Sequence, residues 1–184
     1  MRDPFPIPPP QWLVSAIKPT ADYLDMYTFP LHAHEVVFAF VLYSGIYLGV
    51  SPVLSRTFAP DKYARLTRRT RISWDVHVVS FVQSLIISAL SLYIIVFDQE
   101  RKSWRSSALA IDGDWEMRMW GYSGLSGLCQ SMALGYFMWD FVMCSYHVKI
   151  FGWGMLAHAV SAVSVFALGY VNILITSTLH LIAR

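Results

Sequence analysis

Residues 76–97, with the sequence VHVVSFVQSLIISALSLYIIVF, form the segment that decides the fold of this chain. The run contains no Asp, Glu, Lys or Arg. At roughly 1.5 Å per helical residue, it is long enough to cross a hydrocarbon core of roughly 30 Å. We therefore predict that residues 76–97 cross a membrane as an α-helix.

The composition agrees with a membrane protein. Of the 184 residues, 55% are hydrophobic and only 14% are charged, whereas soluble domains carry about 25% charged residues. The net charge of +2 is too small to indicate a nucleic-acid partner. The sequence also lacks a glycine-rich phosphate loop, a Gly-x-Ser-x-Gly elbow and a Cys-x-x-Cys pair, so it carries no motif of the common soluble enzymes.

The predicted fold class is all-α, a polytopic transmembrane helical bundle with four to five spanning helices. Apolar runs separated by charged or broken segments define the spans. They cover residues 35–54, 76–97, 121–147, 153–168 and, as a shorter fifth helix, 171–183.

The predicted domain organisation has two parts, an N-terminal interfacial segment at residues 1–34 and a transmembrane domain at residues 35–184. Prolines and aromatic residues are frequent in the first part, which favours the membrane surface. We expect a short surface helix there, around residues 10–17. Residues 98–119 are polar with charges of both signs and are predicted to form a loop outside the membrane.

Basic residues predict the orientation. Arginines and lysines crowd the connection between the first two spans, from Arg56 to Arg71. Short loops rich in these residues stay on the cytoplasmic side, so the N-terminus is predicted to be lumenal or external. The third span begins with many small residues, among them Gly127 and Gly135. Small residues allow helices to approach closely, which predicts that this span lies inside the bundle.

Three polar residues on three predicted helices share one depth, roughly 10 Å from the cytoplasmic ends. They are Gln83, Asp140 and His158. An ionisable group inside a span is costly, normally faces the bundle and is commonly functional. Asp140 and His158 are therefore the leading candidate pair, and we predict that they face each other inside the bundle. The alternative is a purely structural contact that holds two helices together, and for Gln83 alone this alternative is favoured.

The other histidines carry weaker signals. His77 and His147 lie near the predicted membrane surface, where solvation explains them. His32, His34 and Glu35 cluster at the mouth of the first span, but their spacing matches no strong metal-site signature. We therefore predict no metal site and no cofactor.

Three stretches resemble the TLC domain, which ceramide synthases share with a set of smaller TLC-domain membrane proteins. They are RISWDVHVVS at residues 71–80, GYFMWD at 135–140 and MLAH at 155–158. The resemblance covers roughly residues 65–168. It is closest to the small TLC-domain proteins of the endomembrane system and weaker to the ceramide synthases.

The chain departs from the ceramide-synthase pattern at the proposed site. Members commonly carry His at the position of Gln83 and a His-His pair where this chain has Ala157-His158. The resemblance therefore implies first a multi-spanning membrane protein, expected in the endoplasmic reticulum or a related endomembrane. It would bind a lipid at Gln83, Asp140 and His158 and influence lipid composition or trafficking.

Two other functions stay open at this point. One is a sphingoid-base N-acyltransferase that uses acyl-CoA, with His158 as catalytic general base and Asp140 orienting it. The other is assembly with a helix-packing partner or as a homo-oligomer through the small-residue face of the third span. The expected partners are thus membrane lipids, with acyl-CoA and a protein partner as alternatives.

Overall fold

The computed structural model describes residues 5–99, 102 and 121–171. Within these residues the chain forms helices and no strand, which confirms the all-α fold class. The helices are α1 (Gln11–Tyr23), α2 (Phe29–Gly45), α3 (Ser51–Phe58), α4 (Pro60–Arg65), α5 (Arg68–Phe97), α6 (Gly124–Tyr146) and α7 (Val148–Leu168).

Helices α2 and α3 are joined by a π-helical turn at Ile46–Val50, so Phe29–Phe58 is one continuous helix. This helix begins before residue 35, where the first span was predicted to start. Pro30 in its first turn explains the earlier start, because proline is well tolerated where the backbone N–H has no helical partner.

Two helices in the described part of the chain are long and apolar enough to cross a membrane, Phe29–Phe58 and Arg68–Phe97. Trp153–Leu168 is a shorter apolar helix. The prediction of four to five spanning helices is therefore not confirmed, and the fifth helix predicted at 171–183 lies almost entirely outside the described residues. On α5, large apolar side chains such as Phe81 and Leu92 are each 63% exposed, which suits contact with lipid better than the core of a soluble domain.

Helix α1 contains the short helix predicted at the membrane surface and extends it to Tyr23. It packs against α2. Trp12 and Tyr23 are strongly exposed on it. The position of this helix at the membrane surface stays a prediction.

Helix α6 lies at the centre, in contact with α2, α5 and α7. Two glycines of this helix allow α2 to pack closely against it. A Cβ added to Gly135 would lie 2.5 Å from the Ala39 Cβ and 2.7 Å from the Val36 carbonyl oxygen, and one added to Gly127 would overlap the His32 ring. The prediction that this segment lies inside the bundle is thus confirmed, and its small-residue face contacts α2 of the same chain.

The arginine-rich connection is held by one buried carboxylate. Asp75 on α5 is 6% exposed and accepts hydrogen bonds from the Ser51 hydroxyl (2.6 Å) and the Tyr63 hydroxyl (2.9 Å). The neighbouring Trp74 indole N–H donates to the Ser55 hydroxyl at 2.9 Å. Asp75 therefore ties α3 and α4 to the start of α5.

Arg71 belongs to the same group. Its guanidinium lies 5.0 Å from the centre of the Tyr63 ring, within the range of a cation–π contact. Burial and the hydrogen bond to Asp75 raise the pKa of the Tyr63 phenol, so the hydroxyl stays protonated and continues to donate to the carboxylate at neutral pH.

Helix α7 is kinked at Gly152, where φ is 84°. Only glycine adopts this conformation without strain. Before the kink, the Arg69 guanidinium donates to the Ile150 carbonyl oxygen at 3.3 Å, which joins the starts of α5 and α7. The segment after the kink, Trp153–Leu168, matches the bounds predicted for the fourth apolar helix.

We predict that Gly135→Ala destabilises the protein while Gly45→Ala does not. The added methyl at 135 meets α2 at 2.5–2.7 Å, whereas nothing lies within 4 Å of a Cβ at 45. Overpacking costs about 1–3 kcal/mol, and alanine gains up to about 1 kcal/mol over glycine in an open helical position. Thermal unfolding of the purified variants in detergent measures both effects, and equal melting temperatures would contradict the close packing.

Asp75→Ala is expected to destabilise the protein by about 1–3 kcal/mol, because the Ser51 and Tyr63 hydroxyls lose their buried acceptor. Asp61→Ala removes an exposed carboxylate from α4 and serves as the control. Limited proteolysis at the arginine-rich connection should be faster in Asp75→Ala than in the wild type, and it should be unchanged in Asp61→Ala. Equal cleavage rates would argue against the role of Asp75.

Candidate functional site

Gln83 lies in a buried polar layer between α2, α5 and α6. It is 7% exposed, and its side-chain oxygen accepts a hydrogen bond from the Tyr43 hydroxyl. The Tyr43 ring meets the Tyr136 ring edge-on at 5.5 Å, and the Tyr136 hydroxyl is 2.8 Å from that of Ser80. Gln83 is therefore already engaged by the bundle, as the structural alternative expected.

Asp140 lies one helical turn beyond Tyr136 on α6. It is 7% exposed, and the Cys144 thiol donates to it at 3.8 Å. A thiol is a weak donor. No other hydrogen bond to the Asp140 side chain occurs among the described residues, so this carboxyl group is buried with little compensation.

His158 lies on the exposed surface of α7. It is close enough to Asp140 for the two groups to interact electrostatically, but the described residues give no hydrogen bond between them. The sequence analysis expected both groups to face inward. The structure differs for His158, because Ala159 is the position on this turn of α7 that is buried against the bundle.

The structure thus brings Asp140 and His158 near each other and pairs Gln83 with a different partner. The arrangement combines a buried carboxyl group with an imidazole that is reachable from outside the bundle. Such a pair can bind a polar group that enters from the bilayer. Whether the pair also performs acid–base chemistry stays a prediction.

A second polar cluster lies at the start of α2. The His32 Nδ1 is 2.8 Å from the Glu35 Oε2, and the His32 Nε2 contacts the Tyr122 hydroxyl. His34 is not part of it, because its Nε2 donates to the Ile7 carbonyl oxygen at 2.8 Å. Across the described ranges, no group of three or more His, Cys, Asp or Glu residues is placed to hold a metal ion.

Tyr170 extends this cluster. It is 2% exposed, its hydroxyl is 2.8 Å from the Ser131 hydroxyl, and its ring meets the Phe29 ring at 5.1 Å. Tyr170 was not among the candidate residues predicted from the sequence. Its role depends on contacts with α2 and α6, which no spacing in the sequence revealed.

The tyrosines are the members of these polar clusters that sequence reasoning missed. Tyr136 carried a usable signal, because it stands four residues before Asp140 and so lies on the same helical face. Tyr43 and Tyr122 carried none, since their partners are far away in sequence.

His147 was predicted to lie near the surface and is found between α6 and α7. Burial and the nearby Arg68 lower its pKa, so it is neutral at physiological pH. His77 is exposed, and its one hydrogen bond to a described residue is to the Ser73 carbonyl oxygen of its own helix. His180 lies outside the described residues.

Proteins of two yeasts are similar in sequence to most of this chain. An uncharacterized TLC domain-containing protein of Schizosaccharomyces pombe is 30% identical over 154 residues, which are 84% of this chain and 48% of that protein. Topoisomerase I damage affected protein 4 of Saccharomyces cerevisiae is 26% identical over 138 residues, 74% of this chain and 44% of that protein. The chain thus spans about half the length of these curated relatives. No solved structure matches it significantly.

The profile of the TLC domain matches residues 73–182. This match includes the stretches that begin near Trp74 and contain Asp140 and His158, and it leaves out His32 and Glu35. TLC-domain proteins are generally membrane-associated and related to lipids. The match covers more than half of the sequence, and this chain therefore belongs to the TLC domain family.

Proposed function

We propose that this protein binds a membrane lipid where His158 lies beside Asp140, and thereby influences membrane lipid composition or trafficking. The observation that carries the proposal is the exposed imidazole on an apolar helix, next to a buried carboxyl group. We further propose the endoplasmic reticulum or a related endomembrane as its location, on the resemblance to small TLC-domain proteins of that system.

The argument rests on the cost of polar groups in hydrocarbon. An ionisable side chain inside a membrane is normally paired or wet. In the described chain, Asp140 has only the thiol of Cys144, and His158 has no hydrogen bond. A lipid hydroxyl, amide or phosphate that bridges the two would supply what both side chains lack.

The arginine-rich connection supports a lipid ligand. Arg71 is engaged with Tyr63, but the other basic side chains of the connection are exposed, and none forms an ion pair with a described carboxylate. Exposed basic residues beside a membrane attract anionic lipids, at about 1 kcal/mol per residue. They are Arg56, Lys62, Arg65, Arg68 and Arg69.

Gln83 was part of the lipid-binding layer expected from the sequence. In our proposal it has a supporting role, since its oxygen already accepts from Tyr43. It helps to fix the position of α2 and α5 around α6, behind the face on which the lipid would bind.

N-acyl transfer from acyl-CoA to a sphingoid base is the second candidate function. An imidazole open to the bilayer could reach such a substrate, which is the observation in its favour. It would need Asp140 to orient His158, and the described residues show proximity without a hydrogen bond. We therefore place lipid binding first.

We predict that His158→Ala lowers the amount of lipid that copurifies with the protein, by about tenfold if one charge-assisted hydrogen bond is lost. His77→Ala is the matched control, because His77 is also exposed and bonds only within its own helix. Lipid extraction followed by mass spectrometry measures the effect. Identical lipid content in the wild type and His158→Ala would contradict the proposal.

The same preparations separate the two functions. Supplied with labelled acyl-CoA and a sphingoid base, reconstituted wild-type protein should give no acylated product if it only binds lipid. A product that forms with the wild type and disappears in His158→Ala would establish acyl transfer instead of lipid binding alone.

A further inference from the structure

We propose that the His32, Glu35 and Tyr122 cluster is a second binding site, one that takes a primary ammonium group. Glu35 and His32 are both fully buried. One carboxylate oxygen of Glu35, Oε2, is 2.8 Å from the His32 Nδ1. The other, Oε1, is buried and has no hydrogen-bond partner among the described residues. This oxygen is the centre of the proposed site.

The hydrogen bonds explain why the carboxylate needs a further donor. With Glu35 ionised, the His32 Nδ1–H donates to Oε2. In the neutral imidazole, Nε2 is then an acceptor, and the Tyr122 hydroxyl donates to it. Within the described residues, no lysine or arginine pairs with Glu35. With Glu35 ionised and His32 neutral, the carboxylate has a single described donor for its two oxygens, and burying a carboxylate in this arrangement is costly.

The ligand that fits must bring both a positive charge and a hydrogen-bond donor. A primary ammonium group has both and can donate to Oε1. A quaternary ammonium carries the charge but has no N–H, so it cannot satisfy this oxygen. A water molecule could donate to Oε1, but it would leave the charge uncompensated.

Aromatic rings lie beside His32. The His32 ring lies 5.7 Å from the ring of Tyr122 and 6.4 Å from that of Tyr170, and Phe29 packs edge-on against Tyr170 at 5.1 Å. Aromatic faces attract ammonium groups through cation–π interactions. Rings at the position of His32 would thus add to the stabilisation of an ammonium group bound at Glu35.

The position in the fold indicates how a ligand would reach the site. Glu35 is roughly 9 Å along α2 from Phe29, where the helix begins, so it lies near the end of the helix that is opposite the arginine-rich connection. Tyr122 is half-buried and precedes α6 in a non-helical stretch. The contact between His32 and the Tyr122 hydroxyl places this tyrosine at the same end of the bundle as Glu35.

This site is independent of the function proposed above. His32 and Glu35 precede the segment matched by the TLC domain profile, and they lie on α2, whereas Asp140 and His158 lie on α6 and α7. The Glu35 carboxylate at one end of the bundle would favour ammonium groups. The exposed arginines at the other end would favour phosphate groups.

The test compares lipids whose headgroups differ only in methylation. The full chain is reconstituted in nanodiscs, and binding is measured by native mass spectrometry for phosphatidylethanolamine, its mono- and dimethyl forms and phosphatidylcholine, all with the same acyl chains. We expect phosphatidylethanolamine to bind about tenfold more tightly than phosphatidylcholine, because only the first has a primary ammonium to donate to Glu35. Equal affinities in the wild type would overturn the proposal without any variant.

Glu35→Gln keeps the shape of the side chain and removes its charge, and it should abolish the preference. Asp25→Asn, which changes an exposed carboxylate near α2, should leave the preference intact. A preference that survives in folded Glu35→Gln protein would show that the ammonium binds elsewhere and would overturn the proposal. His158→Ala should not alter the preference, so this result is separate from the outcome for the Asp140 and His158 site.

Competition with free ethanolamine identifies the source of the ammonium group. Displacement of phosphatidylethanolamine from wild-type protein by free ethanolamine would support a site that accepts a soluble amine as well. A preference that depends on Glu35 but resists displacement would support the lipid headgroup as the ligand.

Discussion

The close approach of α2 and α6 is the constraint on which the rest of the structure depends. It is possible only because Gly127 and Gly135 present no side chain to α2. In a membrane, helices gain little from hiding apolar surface from one another, so tight packing and interhelical hydrogen bonds must hold them together. The two glycines allow the tight packing, and the close approach of the helices in turn allows the interhelical hydrogen bonds.

This contact sets the position of both polar clusters. At one end of α2 it brings His32 toward Tyr122, and near the middle it brings Tyr43 toward Gln83. Each pair links side chains that are far apart in sequence. Shifting α2 outward would leave these groups buried without their partners, which is costly in a low-dielectric interior.

Some polar groups of the bundle have strong hydrogen-bond partners within the fold, and others are incompletely hydrogen-bonded. Gln83 and Asp75 have good partners within the fold and act in its architecture. Within the part of the chain that the structure describes, Asp140 has a weak donor, and one oxygen of Glu35 has no donor. The incompletely satisfied carboxyl groups are where a ligand would gain most, and both of our proposals rest on this difference.

By itself the sequence determined the class of protein, the approximate helices and the family. The uncharged run at residues 76–97 and the arginine-rich connection follow from the physics of hydrocarbon and headgroups, which act on each segment separately. The small residues of α6 likewise predicted a central helix. The family resemblance rested on short stretches around Trp74, Asp140 and His158.

Tertiary structure alone decided which polar groups meet. Depth along a helix placed Gln83, Asp140 and His158 at one level, but the rotation of each helix about its axis determined that Gln83 faces Tyr43 and that His158 faces outward. That rotation is set by the packing of all neighbouring helices at once. In a nearly uniformly apolar helix such as α7, the sequence has no periodic pattern that would predict the rotation of the helix about its axis.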